Sequence, residues 1–233
     1  VSSAPVVNPP SLSTAAFQVM NTSVTIQNIT VITTNTVSYG VYASSSYETK
    51  SSVNVDSGGK IGTAGISLSS LSSIANSSVT VQAADAIDLN GQSNTISYSS
   101  AANNSSSLYA VYLNSASSNS ITQSYFLNSG SGDTVYLNSS ANYNAISLST
   151  AISQSSGRFA LYVNSSSGNV ISQSYIRSTA YGGYLFNASS NTLTRNHFSA
   201  TRFALALEGA SDYNTITLST MTSSIETGMT LWG

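Results

Sequence analysis

Eight carboxylates, one histidine and fourteen tyrosines are the side chains here whose types suit chemistry, and their spacing decides which chemistry. The acids, Glu48, Asp56, Asp85, Asp88, Asp133, Glu208, Asp212 and Glu226, are scattered along the chain. Asp85 and Asp133 come nearest to a working pair. The repeat described below sets them two coils apart, at roughly 10 Å, with Tyr109 between them. That is the edge of the carboxylate separation an inverting glycosidase uses. Asp85 and Asp88 fall on one strand, and Glu208 and Asp212 flank one turn. Two carboxylates fall short of the roughly six to eight oxygens that hold calcium. His197 stands near Arg195 and Arg202, and the adjacent repeats bring it no carboxylate, so no triad forms. No catalytic residue, metal ligand or cofactor is expected, and the chain reads as not an enzyme.

Tyrosine carries the stronger pattern. Tyr112, Tyr136 and Tyr162 each sit inside a Val/Leu-Tyr-Leu/Val-Asn segment. Alternation that turns Val111, Val135 and Leu161 inward turns these tyrosines outward on consecutive coils, as a candidate ligand-binding stripe. Tyr42 extends it in the earlier half, and Tyr125 and Tyr175 face outward from another wall. Rings at ~4.8 Å intervals make a flat amphipathic surface that stacks on sugars or on a partner protein. The alternative is that they stack only on one another.

The elements that position these residues follow from an internal repeat. An Asn followed two residues later by Ile or Leu recurs at Asn94, Asn119, Asn144, Asn169, Asn191 and Asn214, in steps of 25, 25, 25, 22 and 23. Each Asn is preceded by a segment such as Val111-Tyr112-Leu113-Asn114 and followed by one such as Ser124-Tyr125-Phe126. All alternate apolar with polar residues between Ser, Asn and Gly turns, which is a strand pattern. Three short strands per ~24 residues make one coil of a parallel β-helix. The expectation is an all-β, single-domain right-handed parallel β-helix of about nine coils. It spans residues 17–233 and is most regular over 84–222, with residues 1–16, carrying Pro5, Pro9 and Pro10, as an N-terminal extension or cap.

Parallel coils stack equivalent residues on each other. The Ile96, Ile121, Ile146, Ile171, Leu193, Ile216 column is expected to point inward, each side chain contributing about 1.5–3 kcal/mol when buried. The Asn column is expected to form an internal ladder, because an amide both donates and accepts. Asn also tolerates the left-handed backbone that a bend requires. An outward column of Ser97, Thr122, Ser147, Ser172, Thr194 and Thr217 offers one hydroxyl per coil, which opens a further reading as an ice-binding solenoid.

The repeated SNTI, SNSI, YNAI and GNVI, followed by SQSYI-like strands, resemble the repeats of pectin-lyase-like right-handed parallel β-helix proteins. They are most similar to the Ser/Asn-rich β-helix repeat proteins of bacterial surfaces. The resemblance implies the fold over residues 84–222 and more loosely over 17–83. Its enzymatic branch cleaves acidic polysaccharides with clustered Asp ligands for calcium and a basic residue acting on the substrate. Residue by residue, that machinery does not carry over. A polysaccharide lyase or glycoside hydrolase remains the alternative reading.

Composition narrows the partners. Charged residues are 6% of the chain, and six basic side chains cannot assemble a surface that neutralises phosphates, so nucleic acid is excluded. No apolar run approaches the ~20 residues of a membrane span. Cysteine is absent, which removes disulfides and thiolate metal sites. Scarce Lys and Glu among abundant Ser, Thr and Asn suit an extracellular or cell-surface location. The expected role is a structural or adhesive solenoid, a segment of a longer repeat protein or one that associates end to end, with carbohydrate or protein contact through the Tyr stripe.

Overall fold

The computed structural model describes residues 4–232, and among them every regular element is a β-strand. Ten strands, from Ala15–Val19 to Met229–Leu231, pair in parallel and in chain order to form one sheet. Ten rungs bound nine turns. The other seventeen strands form a second sheet of two adjoining rows, one containing Ser120–Thr122 and the other Tyr125–Asn128. Thr25–Ile32 and Thr49–Asp56 each run through both rows, bent midway at Asn28 and Ser52, with φ of 55° and 54°. The chain is therefore a parallel β-solenoid with three faces per coil.

Register stacks the repeat as its columns require. Ile96, Ile121, Ile146, Ile171 and Leu193 align from coil to coil and are buried. Val111, Val135 and Leu161 line the opposite wall, with Phe126, Ile176 and Phe198 between. Like stacked on like gives every coil the same inner cross-section, which is how short strands fill one continuous core.

The bends depart from expectation in one respect. The left-handed residue is not the ladder Asn but the one before it: Ser93, Ser118, Tyr143, Gly168, Ser190 and Tyr213 have φ between 55° and 69°. The preceding residue reverses the chain, which turns the Asn side chain inward beneath the next coil. Asn144 is typical: its Oδ1 accepts the Asn119 backbone N–H, and its own N–H reaches Asn169 Oδ1, both at 2.8 Å. Nδ2 of Asn144 donates to Ala116 O at 2.9 Å. The same bonds join Asn94 through to Asn214, and Ser72 and Glu48 extend the column towards the N-terminus.

A second bend repeats the device with serine. Tyr98, Gln123, Leu148, Gln173, Arg195 and Leu218 take φ of 49–55°. The residue after each is a buried or half-buried Ser or Asn. Ser124 Oγ donates to Thr122 O at 2.8 Å and accepts the Ser99 N–H at 3.2 Å. The pattern runs from Ser77 to Ser219, with Asn196 filling one rung.

Two features depart from the repeat. Lys50 interrupts the inward column between Ile26 and Ile74. It pairs with Glu48, and both side chains are fully buried. Burial pushes the Lys50 ammonium down, and Glu48 opposes that shift. The boundary expected at residue 17 falls inside a strand, because the stack already begins at Ala15. Upstream, Val6–Val7 pair in parallel with Thr30–Val31, covering backbone groups that would otherwise form an open edge. Residues 1–3 of the expected cap lie outside the described residues.

Candidate functional site

The outer face of the ten-stranded sheet carries the aromatic side chains in adjacent columns. Tyr112, Tyr136, Tyr162 and Tyr184 align in one. Their successive ring centroids are 5.5, 4.7 and 5.3 Å apart. Beside them runs a column at the strand entries: Asp85, Tyr109, Asp133, Phe159, Tyr181 and Phe203. Rings of the two columns interleave, with Tyr109 at 4.9 Å from both Tyr112 and Tyr136, and Phe159 at 4.5 Å from Tyr184. Each of these rings is half-buried, so one edge or face remains open to solvent.

A third column fixes the phenol ends. Asn138 Nδ2 donates to the Tyr112 hydroxyl at 3.4 Å and Asn164 Nδ2 to the Tyr136 hydroxyl at 3.2 Å. Further along, the Tyr184 hydroxyl donates to Glu208. The stripe expected at Tyr112, Tyr136 and Tyr162 therefore exists as a ridge whose members also stack on one another. It extends to Tyr184 and, through Tyr181 and Phe203, to Trp232.

Both expected acids lie on this face. Asp85 Oδ1 accepts the Tyr109 N–H at 2.8 Å, and Asp133 Oδ1 accepts the Phe159 N–H at 2.9 Å. Each thus pegs its coil to the next through one oxygen. Burial raises the Asp85 carboxyl to about 7, more than the Tyr109 N–H lowers it, and neighbouring Asp88 adds to the rise. Burial raises Asp133 too, against the Phe159 N–H and Arg158, which lower it. Tyr109, set between the two acids, is raised by burial first and then by Asp133. Burial also pushes Tyr162 up to about 12.

The aromatic column breaks towards the N-terminus, where Ser67 and Asp88 occupy the two rungs between Tyr42 and Tyr112. A cleft of about 350 Å³ opens at the break, lined by Tyr39, Tyr42, Ser67 and Asn90 among others. A larger depression, of about 710 Å³, follows the serine-ladder bend past Asn76, Tyr98 and Tyr125. It is a corner groove that the left-handed bend repeats from coil to coil, and neither a carboxylate nor a histidine lines it.

The remaining candidates are dispersed. His197 is exposed on another wall, edge-on to Tyr175 at 5.2 Å and 3.3 Å from the Thr222 hydroxyl. Among the described residues no three His, Cys, Asp or Glu side chains gather to hold a metal. Hydroxyls of the outward Ser/Thr column bond to one another, Ser147 to Thr122 at 3.2 Å and Thr217 to Thr194 at 3.0 Å. Sequence reading missed the serine ladder and the buried Lys50–Glu48 pair. The Ser three residues after five of the six Asn-x-Ile/Leu motifs, with Asn196 after the other, was the available signal for the first.

These features define a right-handed parallel β-solenoid with an aromatic and acidic outer face. The chain belongs to the right-handed β-helix family, whose characteristic region matches residues 109–231, more than half of its length. No curated protein matches the sequence. Among solved structures, the Azotobacter vinelandii mannuronan C-5 epimerase AlgE4 A-module is similar, at 11% identity and a TM-score of 0.51. The match covers 99% of this chain and 87% of that one. The AlgE6 A-module from the same organism aligns over 98% of this chain and 91% of its own, at 12% identity and a TM-score of 0.35.

The expectation that the chain is not an enzyme is overturned to this extent: the fold it shares with the AlgE4 A-module, at 11% identity, is one that carries an enzyme. That expectation rested on the scatter of charged residues along the chain. Coiling sets Asp85, Asp88, Tyr109 and Asp133 on one face, as the repeat spacing implied, and the fold adds that burial raises all three carboxyls.

Proposed function

We propose that this chain is a carbohydrate-engaging β-solenoid of the cell exterior that holds a polysaccharide along its aromatic face. The observation that carries the reading is the unbroken stack from Tyr109 to Phe203, half-exposed and ordered in register over successive coils. Within the stack the ring faces are turned to one another, so the ridge offers a sugar chain ring edges and phenol hydroxyls, and such contact loses little entropy because each ring is already held by its neighbours. Similarity to the fold of a polysaccharide-modifying module supports the ligand class. A chain so poor in charge and rich in Ser, Thr and Asn supports the exterior location and a structural or adhesive role.

The test is polysaccharide pull-down and titration calorimetry with the wild type and a Tyr112/Tyr136/Tyr162→Ser triple variant. Binding that disappears in the variant supports the reading; binding that persists undiminished sinks it.

One observation favours a second reading, a chemical step on the bound glycan. Asp85, Tyr109 and Asp133 share one column of this face, and burial pushes the Asp85 carboxyl up to about 7, where a carboxyl serves as a general acid or base. Incubating the protein with each bound polysaccharide and following the anomeric proton signals by NMR would show it. Turnover lost in Asp85→Asn supports this reading, and unaltered spectra with the wild type exclude it.

A further inference from the structure

We infer that the corner groove along the serine-ladder bend is a second glycan site, one that takes an uncharged polysaccharide strand. The groove lies on a different sheet from the aromatic face, so it stands or falls apart from the reading above. Three observations carry it.

The first is the state of the rings. Tyr98 and Tyr125 both line the groove and are 58% and 43% exposed. Among the described residues neither stacks on another aromatic side chain, whereas the ridge rings are turned to one another. Their faces are therefore open, and the apolar C–H side of a sugar ring packs on such a face. Tyr98 stands at the bend, and Tyr125 lies one coil on, aligned with Ser100. About 8 Å separates their backbones, so sugars of one strand reach both.

The second is the polar groups set beside the rings. The bend column alternates amide with apolar side chains, Asn76, Tyr98, Gln123 and Leu148, all exposed. Asn76 and Gln123 donate their backbone N–H groups to Ser97 O and Ser147 O, each at 3.2 Å, which holds the bend while the side-chain amides face solvent. The next outward column places Ser78, Ser100 and Thr150 in line with Tyr125. Open ring faces interleaved with amides and hydroxyls suit a strand whose sugars offer apolar faces and hydroxyl edges together.

The third is what the groove disfavours. None of its lining residues is charged. A uronate would lose water around its carboxylate there and gain no counter-ion. An extended peptide fares no better, because the backbone at the bend is already paired. The Ser77, Ser99 and Ser124 N–H groups each donate to the serine hydroxyl of the next coil at 3.2 Å, which leaves no strand edge to add to.

Titration calorimetry with cellohexaose, mannohexaose, xylohexaose and a galacturonate hexamer tests the groove. Tyr98→Gln/Tyr125→Ser installs residues that neighbouring coils already carry in those columns, at Gln123 and Ser100, so the stack is kept. A melting temperature equal to that of the wild type verifies this. The variant should bind at least one neutral hexasaccharide about tenfold or more weakly at one site, whether or not the ridge binds it too. Tyr98→Phe/Tyr125→Phe keeps the ring faces and should stay within about threefold of the wild type. An isotherm unchanged in the Gln/Ser variant overturns the inference, and so does equal weakening in the Phe variant. Galacturonate bound in the groove as tightly as the neutral sugars overturns it as well. Binding abolished by Tyr112/Tyr136/Tyr162→Ser yet unmoved by Tyr98→Gln/Tyr125→Ser leaves the ridge reading standing and rejects the groove. The reverse result supports the groove and rejects the ridge, and absence of binding to every hexamer rejects both.

Discussion

Asn144 Oδ1 accepts two hydrogens from Asn119, the backbone N–H at 2.8 Å and the side-chain Nδ2–H at 3.0 Å. One oxygen thus satisfies a bend residue of the neighbouring coil in both its parts. The Asn144 N–H and Nδ2–H repeat the arrangement on Asn169. Every interior rung is donor on one side and acceptor on the other, so removing one rung harms two neighbours.

Asn144→Leu should therefore destabilise the protein by at least about 1–3 kcal/mol, through an orphaned Asn119 N–H in a dry interior. Asn214→Leu should cost less, because that rung is only half-buried. Urea denaturation followed by tyrosine fluorescence compares them; equal effects would refute a ladder that acts through burial.

The serine ladder gives a sharper substitution test. Ser124→Ala removes the acceptor of the Ser99 N–H and should cost about 1 kcal/mol. Ser124→Asn should be close to neutral, because Asn196 fills the equivalent rung and accepts the Ser174 N–H at 3.0 Å. A Ser124→Asn variant less stable than Ser124→Ala would contradict the equivalence of these rungs.

The buried ion pair predicts non-additivity. Lys50→Ile alone leaves the Glu48 carboxylate buried beside an apolar group and should cost about 3–5 kcal/mol. Adding Glu48→Asn restores the Asn-x-Ile pattern of the later coils and should return stability to the wild-type value or above it. Thermal unfolding of the two single variants and the double variant closes the cycle. A double variant as unstable as the singles combined would show that the pair is worth more than the apolar consensus.

Asp85 predicts a pH dependence. Its folded carboxyl titrates at about 7 against an ordinary 3.8, so between those values the folded state holds more proton than the unfolded. Stability then falls as pH rises from about 4 to 7 and levels off above, by an amount on the order of 4 kcal/mol from this group. Burial raises Asp88 and Asp133 as well, and they act in the same direction. Asp85→Asn keeps an oxygen for the Tyr109 N–H and should flatten the slope. Melting temperatures at pH 4.5 and 7.5 measure it; a wild type that becomes more stable across that range would disprove the assignment.

Periodicity alone determined the solenoid, its strand count per coil and the identity of the inward columns. In a parallel stack, repeat spacing is translated directly into contact, so Asn94 to Asn214 could be aligned before any coordinate was known. The Tyr112, Tyr136, Tyr162 stripe followed from the same alternation. What spacing could not express was side-chain direction at the bends. The left-handed residue proved to be Ser118 or Tyr143 rather than the Asn beside it, because the turn must precede the side chain it aims inward. Nor could spacing show that Asp85 and Asp133 each spend one oxygen on a backbone N–H, or that burial moves Asp85 to neutrality. Those are consequences of which groups cover one another. Repeat spacing placed Asp85, Asp88 and Asp133 on one face, but only the folded stack decides how much water is left around them.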